Sequence, residues 1–282
     1  GGLGNQLHQL AAGVAIAGEL KTDLRLNLTT LNLGSNGSRR FEIDNFDLGN
    51  LKTKVSFVGK SSYSRLLAKK LSRRIRLGLD HLFLPSPEDY RDDLSDPSDQ
   101  ICAIRDGYSI SGHFVDFTWV EFAKRFGFEP RVRESVLSPS TFEIAQEIEE
   151  QDVAVHLRFG DFLTLPGLFP VLKDEFVMRS LGVIGEYNKV WLFTDDLLSA
   201  SQLCPLTINS SHRIYSPNEI SGLETFWLLG RFSNVITANS TFSTWAAYLS
   251  KKAKCVVTPT PHLLGAWVDH LPEAWKRVSI NE

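Results

Sequence analysis

The chain has 282 residues, with 30 Lys and Arg against 33 Asp and Glu, a formal net charge of -3, 43% hydrophobic residues and 22% charged ones. That balance excludes wholesale disorder and fibrous classes, and it lacks the strong positive field by which nucleic-acid binders hold a phosphate backbone. A chain of this length is expected to form two compact units, each large enough to bury a sizeable core.

From the amino terminus, a Gly-rich start leads into an expected helix at Gln6–Leu20 and an expected strand at Leu24–Leu28. Arg65–Arg76 carries Arg65, Lys69, Lys70, Arg73, Arg74 and Arg76 opposite Leu66, Leu67, Leu71 and Ile75. That pattern reads as a solvated helix over the core, with peripheral contact to an anionic membrane as the alternative. Leu82–Gln100 is rich in Pro, Asp and Ser and reads as a long surface connection; Tyr108–Phe114 reads as a strand and Asp116–Phe126 as a helix. Pro139 followed by Ser140–Glu150 reads as the last helix of a first domain, 1–150.

The second domain, 151–282, has a regular pattern. Strands are expected at Val153–Leu157, Lys189–Phe193, Asn234–Thr237 and Cys255–Thr258, with amphipathic helices at Lys173–Tyr187, Glu219–Phe232 and Phe242–Ser250. Strands alternating with helices in this way predict an open, doubly wound parallel sheet, hence an α/β chain. In such sheets ligands bind beyond the carboxyl ends of the strands, so polar residues placed there are candidates for chemistry.

Three cysteines, Cys102, Cys204 and Cys255, are too scattered for a disulfide framework and fit a reducing compartment. No Cys or His spacing suggests a metal site, and none is expected. No apolar run approaches the ~20 residues that a bilayer span needs, and no leader pattern opens the chain. The expected placement is therefore cytoplasmic, peripheral on the inner membrane; a Golgi lumen is the alternative if an anchor precedes Gly1. The sequons at Asn27, Asn36, Asn209 and Asn239 are expected to be chance occurrences.

Three segments could carry chemistry. Val153–Leu157 runs into Arg158, Phe159, Gly160 and Asp161, where His156 and Arg158 share a direction if the strand continues. The planar fork of Arg158 suits a phosphate, Gly160 permits a close backbone approach, and an ordinary Arg158–Asp161 ion pair is the plain alternative. After the strand at Asn234, the run Asn239-Ser240-Thr241-Phe242-Ser243 opens a helix, where hydroxyls and helix-start N–H groups suit a diphosphate or simply cap the helix. Gly1-Gly2-Leu3-Gly4-Asn5-Gln6 precedes a helix but is neither a Walker loop nor a dinucleotide fingerprint. Adjacent Asp195 and Asp196 at a strand end read as a cap for the next helix.

Together, Gly-Gly-Leu-Gly-Asn-Gln at 1–6, His-x-Arg-x-Gly-Asp at 156–161, Leu-Phe-Thr-Asp-Asp at 192–196 and the block from Asn239 to Ala247 are telling. In that order and spacing the sequence resembles the alpha-1,2-fucosyltransferases over nearly its whole length. His-x-Arg-x-Gly-Asp is shared more loosely with alpha-1,6- and protein O-fucosyltransferases. The resemblance implies a GT-B arrangement of two Rossmann-like domains with a cleft between them, and metal-independent, inverting transfer from GDP-fucose to a galactose-terminated glycan. By this resemblance Arg158 neutralises the diphosphate, His156 and Asp161 are its motif neighbours, and Asn239, Ser240, Thr241, Phe242 and Ser243 line the donor. Asn5 and Gln6 match the amino-terminal motif, and Glu224 approximates an acidic family position. Asp161 is the first choice of general base and His8 the second. Phe159 stands where the family commonly has a second arginine, which leaves a GDP-sugar-binding module without transferase activity as an alternative. A fucosyltransferase of another linkage is the other.

Overall fold

A computed structural model describes residues 2–28, 40–58, 116–262 and 271–280. Two compact units, Gly1–Pro130 and Arg131–Glu282, divide the chain. The expected elements within 65–76, 82–100 and 108–114 lie outside the described residues, as do Asn36 and Cys102.

In the first unit, helix α1 (Leu3–Glu19) buries Leu3, Leu7, Leu10, Ala11 and Val14 along one stripe. It starts earlier than the predicted Gln6, because Leu3 is buried and Gly2 caps the helix in an extended conformation. Asn5 and Gln6 therefore lie in its first turn. Strand β1 (Leu24–Asn27) is followed by a short strand β2 (Phe46–Asp47) and then β3 (Val55–Val58), which pairs with β1 in parallel. Helix α2 (Thr118–Lys124) packs on α1. At the close of α1, a Cβ on Gly18 would meet the Phe126 ring at 2.4 Å, so the missing side chain is what lets that ring lie on the helix.

The second unit opens with β4 (Arg131–Val132) and α3 (Pro139–Gln146). It continues through β5 (Val153–Leu157), α4 (Asp174–Ile184), β6 (Val190–Thr194), α5 (Leu197–Leu203), α6 (Pro205–Ser210), β7 (Arg213–Tyr215), α7 (Gly222–Leu229), β8 (Asn234–Ile236), α8 (Thr241–Leu249), β9 (Cys255–Thr260) and β10 (Lys276–Ser279). Helix α3, assigned by sequence to the first half, belongs here. Ser138 and Thr141 hydrogen-bond Glu224, and Phe142 meets Trp227 edge to face. The sequence division near 150 and the structural one at Pro130 differ by this helix.

Six strands form one sheet in the order β10-β9-β8-β5-β6-β7, and every pairing is parallel. β5 and β6 are buried along their whole length, as expected for central strands covered on both faces. Relative to β5 as the first strand, the order is that of a doubly wound dinucleotide-type sheet, in which the winding reverses between β5 and β8. A crevice opens at such a reversal, outside the carboxyl ends of the two strands.

The predicted central strands and main helices are present, with shifted ends. Gly185, at φ 92, stops α4 before the predicted Tyr187. A capping box between Ser221 and Glu224 starts α7 later than predicted. Edge strands β7 and β10, and helices α5 and α6, were not predicted: all are short, and the edge strands have mixed polarity.

Candidate functional site

The carboxyl end of β5 delivers Arg158 to the reversal point. Its Nη2 lies 2.5 Å from Asp161 Oδ1 and its Nη1 2.9 Å from Asp195 Oδ2, at the end of the neighbouring strand β6. Asp195 Oδ1 also accepts the Phe159 amide at 2.8 Å. Burial pushes the Asp195 carboxyl above its ordinary range; Arg158 and the Phe159 amide oppose that, and nearby Asp161 adds to it. Gly160 serves this cluster directly: a Cβ there would meet Asp195 Oδ2 at 2.4 Å, so its close approach is to the carboxylate.

Phe159 is fully buried in the core with Leu157, Leu172 and Phe176. The position that lacks a second arginine thus points its side chain inward and uses only its amide toward the site. Arg158 also lies 5.6 Å above the Phe162 ring, which stacks on Phe169 at 3.9 Å.

His156 is buried within β5, and its Nδ1 has no hydrogen-bond partner. Burial, with a smaller contribution from the Arg158 charge, lowers its pKa to about 3, so the ring is neutral at working pH. It packs 5.4 Å from the Phe242 ring, which connects the β5 end to the start of α8.

That second loop is held by hydrogen bonds rather than charges. Ser240 caps α8 by accepting the Phe242 amide at 3.3 Å. Ser243, fully buried, accepts the Ala238 amide at 3.1 Å, and Asn239 donates to the Pro170 carbonyl at 2.8 Å. The Asn239 Oδ1 is buried without a partner. Because Asn239 is only 1% exposed, its sequon cannot carry a glycan on the folded chain. Thr241 and Phe242 are partly exposed at the helix start, whose dipole favours an anion.

Other predicted site residues have different surroundings. Both oxygens of Glu224 are occupied, Oε1 by Ser138 and Thr141 and Oε2 by the Ser221 amide. Burial raises its pKa, but these hydrogen bonds prevail and bring it down to about 2. In the first unit, Gln6 donates to the Arg40 carbonyl at 2.8 Å and accepts the Glu42 amide at 3.0 Å, pinning that segment to α1, while Asn5 is partly exposed. His8 is buried against Phe117 at 4.9 Å.

The two adjacent aspartates divide their roles. Asp196 caps α5 by accepting the Ser199 amide and hydroxyl, as the sequence suggested. Asp195 instead reaches Arg158, a role sequence reasoning missed; the signal that could have found it was its place at the carboxyl end of the strand beside β5. Among the described residues no three potential metal-ligating side chains converge. Cys204 is buried, which pushes its thiol up to about 12.

The sequence pattern of Glycosyl transferase family 11 is matched across residues 87–262, more than half of the chain. The chain belongs to glycosyl transferase family 11. This bears out the resemblance drawn from the motifs at the level of the family, and makes the protein a glycosyltransferase. The O-antigen biosynthesis glycosyltransferase WbnK of Escherichia coli is 26% identical over 292 residues, covering 94% of this chain and 93% of that protein. The crystal structure of NodZ alpha-1,6-fucosyltransferase soaked with GDP-fucose has a TM-score of 0.51 and 14% identity, covering 88% of this chain and 89% of NodZ. The selenomethionine form of NodZ, from Bradyrhizobium, gives the same TM-score of 0.51 at 14% identity, again over 88% and 89%. At that identity the likeness is one of fold: α/β, with a parallel sheet flanked by helices. Among the described residues no helix is long and apolar enough to cross a membrane.

Proposed function

We propose that this family 11 enzyme transfers fucose from GDP-fucose to the 2-hydroxyl of a terminal galactoside, with inversion at fucose C1. The observation that carries this reading is the pairing, at one reversal of a parallel sheet, of a partly exposed Arg158 with the start of helix α8. As C1 parts from the diphosphate, negative charge grows on the departing phosphate oxygen. A guanidinium fork and a helix amino terminus are two devices by which a protein meets that charge with its own atoms. The acceptor oxygen forms the new bond to C1, its proton passes to Asp161, and GDP leaves. Asp161 is 48% exposed on its side chain and so is accessible to an incoming hydroxyl. His156, kept neutral by burial, contributes shape rather than charge.

NodZ was soaked with GDP-fucose, which supports the choice of donor; WbnK, named for O-antigen biosynthesis, supports a bacterial surface polysaccharide or its lipid-linked precursor as acceptor. In this reading the second unit holds the donor and the first recognises the acceptor, following the GT-B plan. The chain works at the cytoplasmic side of the inner membrane and needs no metal ion.

The test is mass-spectrometric detection of transfer from GDP-fucose to a panel of galactosides in the presence of EDTA, comparing wild type with Arg158→Ala. Transfer to the galactose 2-hydroxyl that the variant loses is the expected result. A product at another hydroxyl would overturn the linkage, loss of transfer in EDTA would overturn metal independence, and GDP binding without turnover on any acceptor would identify a binding module.

A further inference from the structure

The geometry points to Asp195 as the positioning residue for Arg158, bracketing the guanidinium with one carboxylate oxygen and the backbone beside it with the other. This rests on the reading of Arg158 as the diphosphate clamp. Two aspartates hold the fork, on unequal terms. Asp161 sits three residues along the same loop and is 48% exposed, so water and ions screen its contact and compete for it. Asp195 comes from a different strand end, is 18% exposed on its side chain, and contacts Nη1 at 2.9 Å.

The second oxygen of Asp195 distinguishes it further. By accepting the Phe159 amide at 2.8 Å, it fixes the peptide immediately after Arg158, so one carboxylate holds both the charged tip of residue 158 and the chain that carries it. Phe159 also anchors this stretch of chain, because its ring is fully buried in the core. The arrangement also depends on residue 160, where any Cβ would stand 2.4 Å from Asp195 Oδ2 and force the carboxylate away from its place. Glycine at 160 is thus a condition of the bracket.

An incoming diphosphate competes for the same guanidinium. The exposed Asp161 is the partner that yields, freeing the Nη2 edge, while Asp195 keeps Nη1 fixed and the plane of the fork aimed. Asp195 need not touch the donor, and its effect is transmitted entirely through Arg158.

The experiment is a double-mutant cycle on the full chain. GDP affinity is read by calorimetry, and kcat and KM for GDP-fucose are read on a galactoside acceptor. Asp195→Asn preserves size and still accepts the Phe159 amide but removes the charge, so its melting temperature stays near that of the wild type. The expected result is a loss of about 10- to 100-fold in GDP affinity or kcat/KM, by analogy with the loss on removing side chains that orient metal ligands. The same substitution in an Arg158→Ala background changes neither quantity. Gly160→Ala gives a loss of the same kind, and adds nothing further when combined with Asp195→Ala, which vacates the space its methyl group needs. Asp195→Asn within about twofold of wild type, or losses that multiply in the Arg158→Ala background, would overturn the inference. An Arg158→Ala variant with unchanged GDP affinity and turnover would instead overturn the clamp reading, and that failure is visible in the single variant alone.

Discussion

The two loops that flank the sheet reversal are built from different materials. The loop after β5 is organised by ions: Arg158 lies between Asp161 and Asp195, and the neighbouring backbone is tied to the same carboxylate. The loop after β8 carries no charged side chain from Ala238 to Thr244 and is organised by Ser240, Ser243 and Asn239 bonding to backbone groups. One loop therefore offers a salt-sensitive charge, the other a fixed dipole that needs no counterion. A departing phosphate set between them would receive long-range attraction from the first and directional donors from the second.

The comparison can be broken most directly at its charged side. Replacing Arg158 with Ala is expected to lower turnover by about 100- to 1,000-fold, the range typical of removing one preorganised donor from a developing anion. Transfer kinetics measure this, and a loss under about tenfold would shift the weight to the α8 loop. Next in size, Ser243→Ala leaves the buried Ala238 amide without its acceptor, which is expected to cost about 1 to 3 kcal/mol of stability in chemical denaturation. Its kinetic effect stays below that of Arg158→Ala if the loop works through backbone placement.

Three further measurements sharpen the contrast. Wild-type GDP affinity is expected to fall a few-fold as salt rises, on the order of what screening one partly exposed ion pair implies, and Arg158→Ala removes most of that dependence. Calorimetry at several salt concentrations reads it. The acid limb of stability offers another signal. His156 titrates from 6.5 in the unfolded chain to about 3 in the fold, so the unfolded chain takes up the proton first and stability declines as pH drops from 6.5 toward 3. His156→Gln flattens this stretch of a pH series of thermal melts. Glu224, depressed from 4.5 to about 2, contributes stability that is complete above 4.5 and is lost as pH falls toward 2. Smallest is Ser221→Ala, which loses the cap of α7 and is expected to cost about 1 kcal/mol with no change in GDP affinity.

Sequence by itself determined the alternation of strands and helices in the second unit, because apolar spacing is a local signal that burial on a parallel sheet must respect. It also picked out Arg158, Asp161 and the Asn239–Ser243 run, because polar residues directly after a buried strand stand where a parallel sheet opens to its ligands. Asp196 as a cap was legible from local spacing too: its partner, Ser199, is three residues away. The remaining features depend on neighbours distant in the chain. Strand order alone sets the ends of β5 and β8 side by side. Packing alone turns Phe159 inward, and separates Asp195, 36 residues from the Phe159 amide it accepts, from its neighbour Asp196. The sequence pattern started this helix at Glu219; only the fold shows Glu224 in a capping box with Ser221 and reveals the hydroxyls of Ser138 and Thr141 that fill its remaining capacity. Local patterns can be read in order along a chain, whereas the partners of a charge are chosen by whatever the tertiary structure brings within a few ångströms.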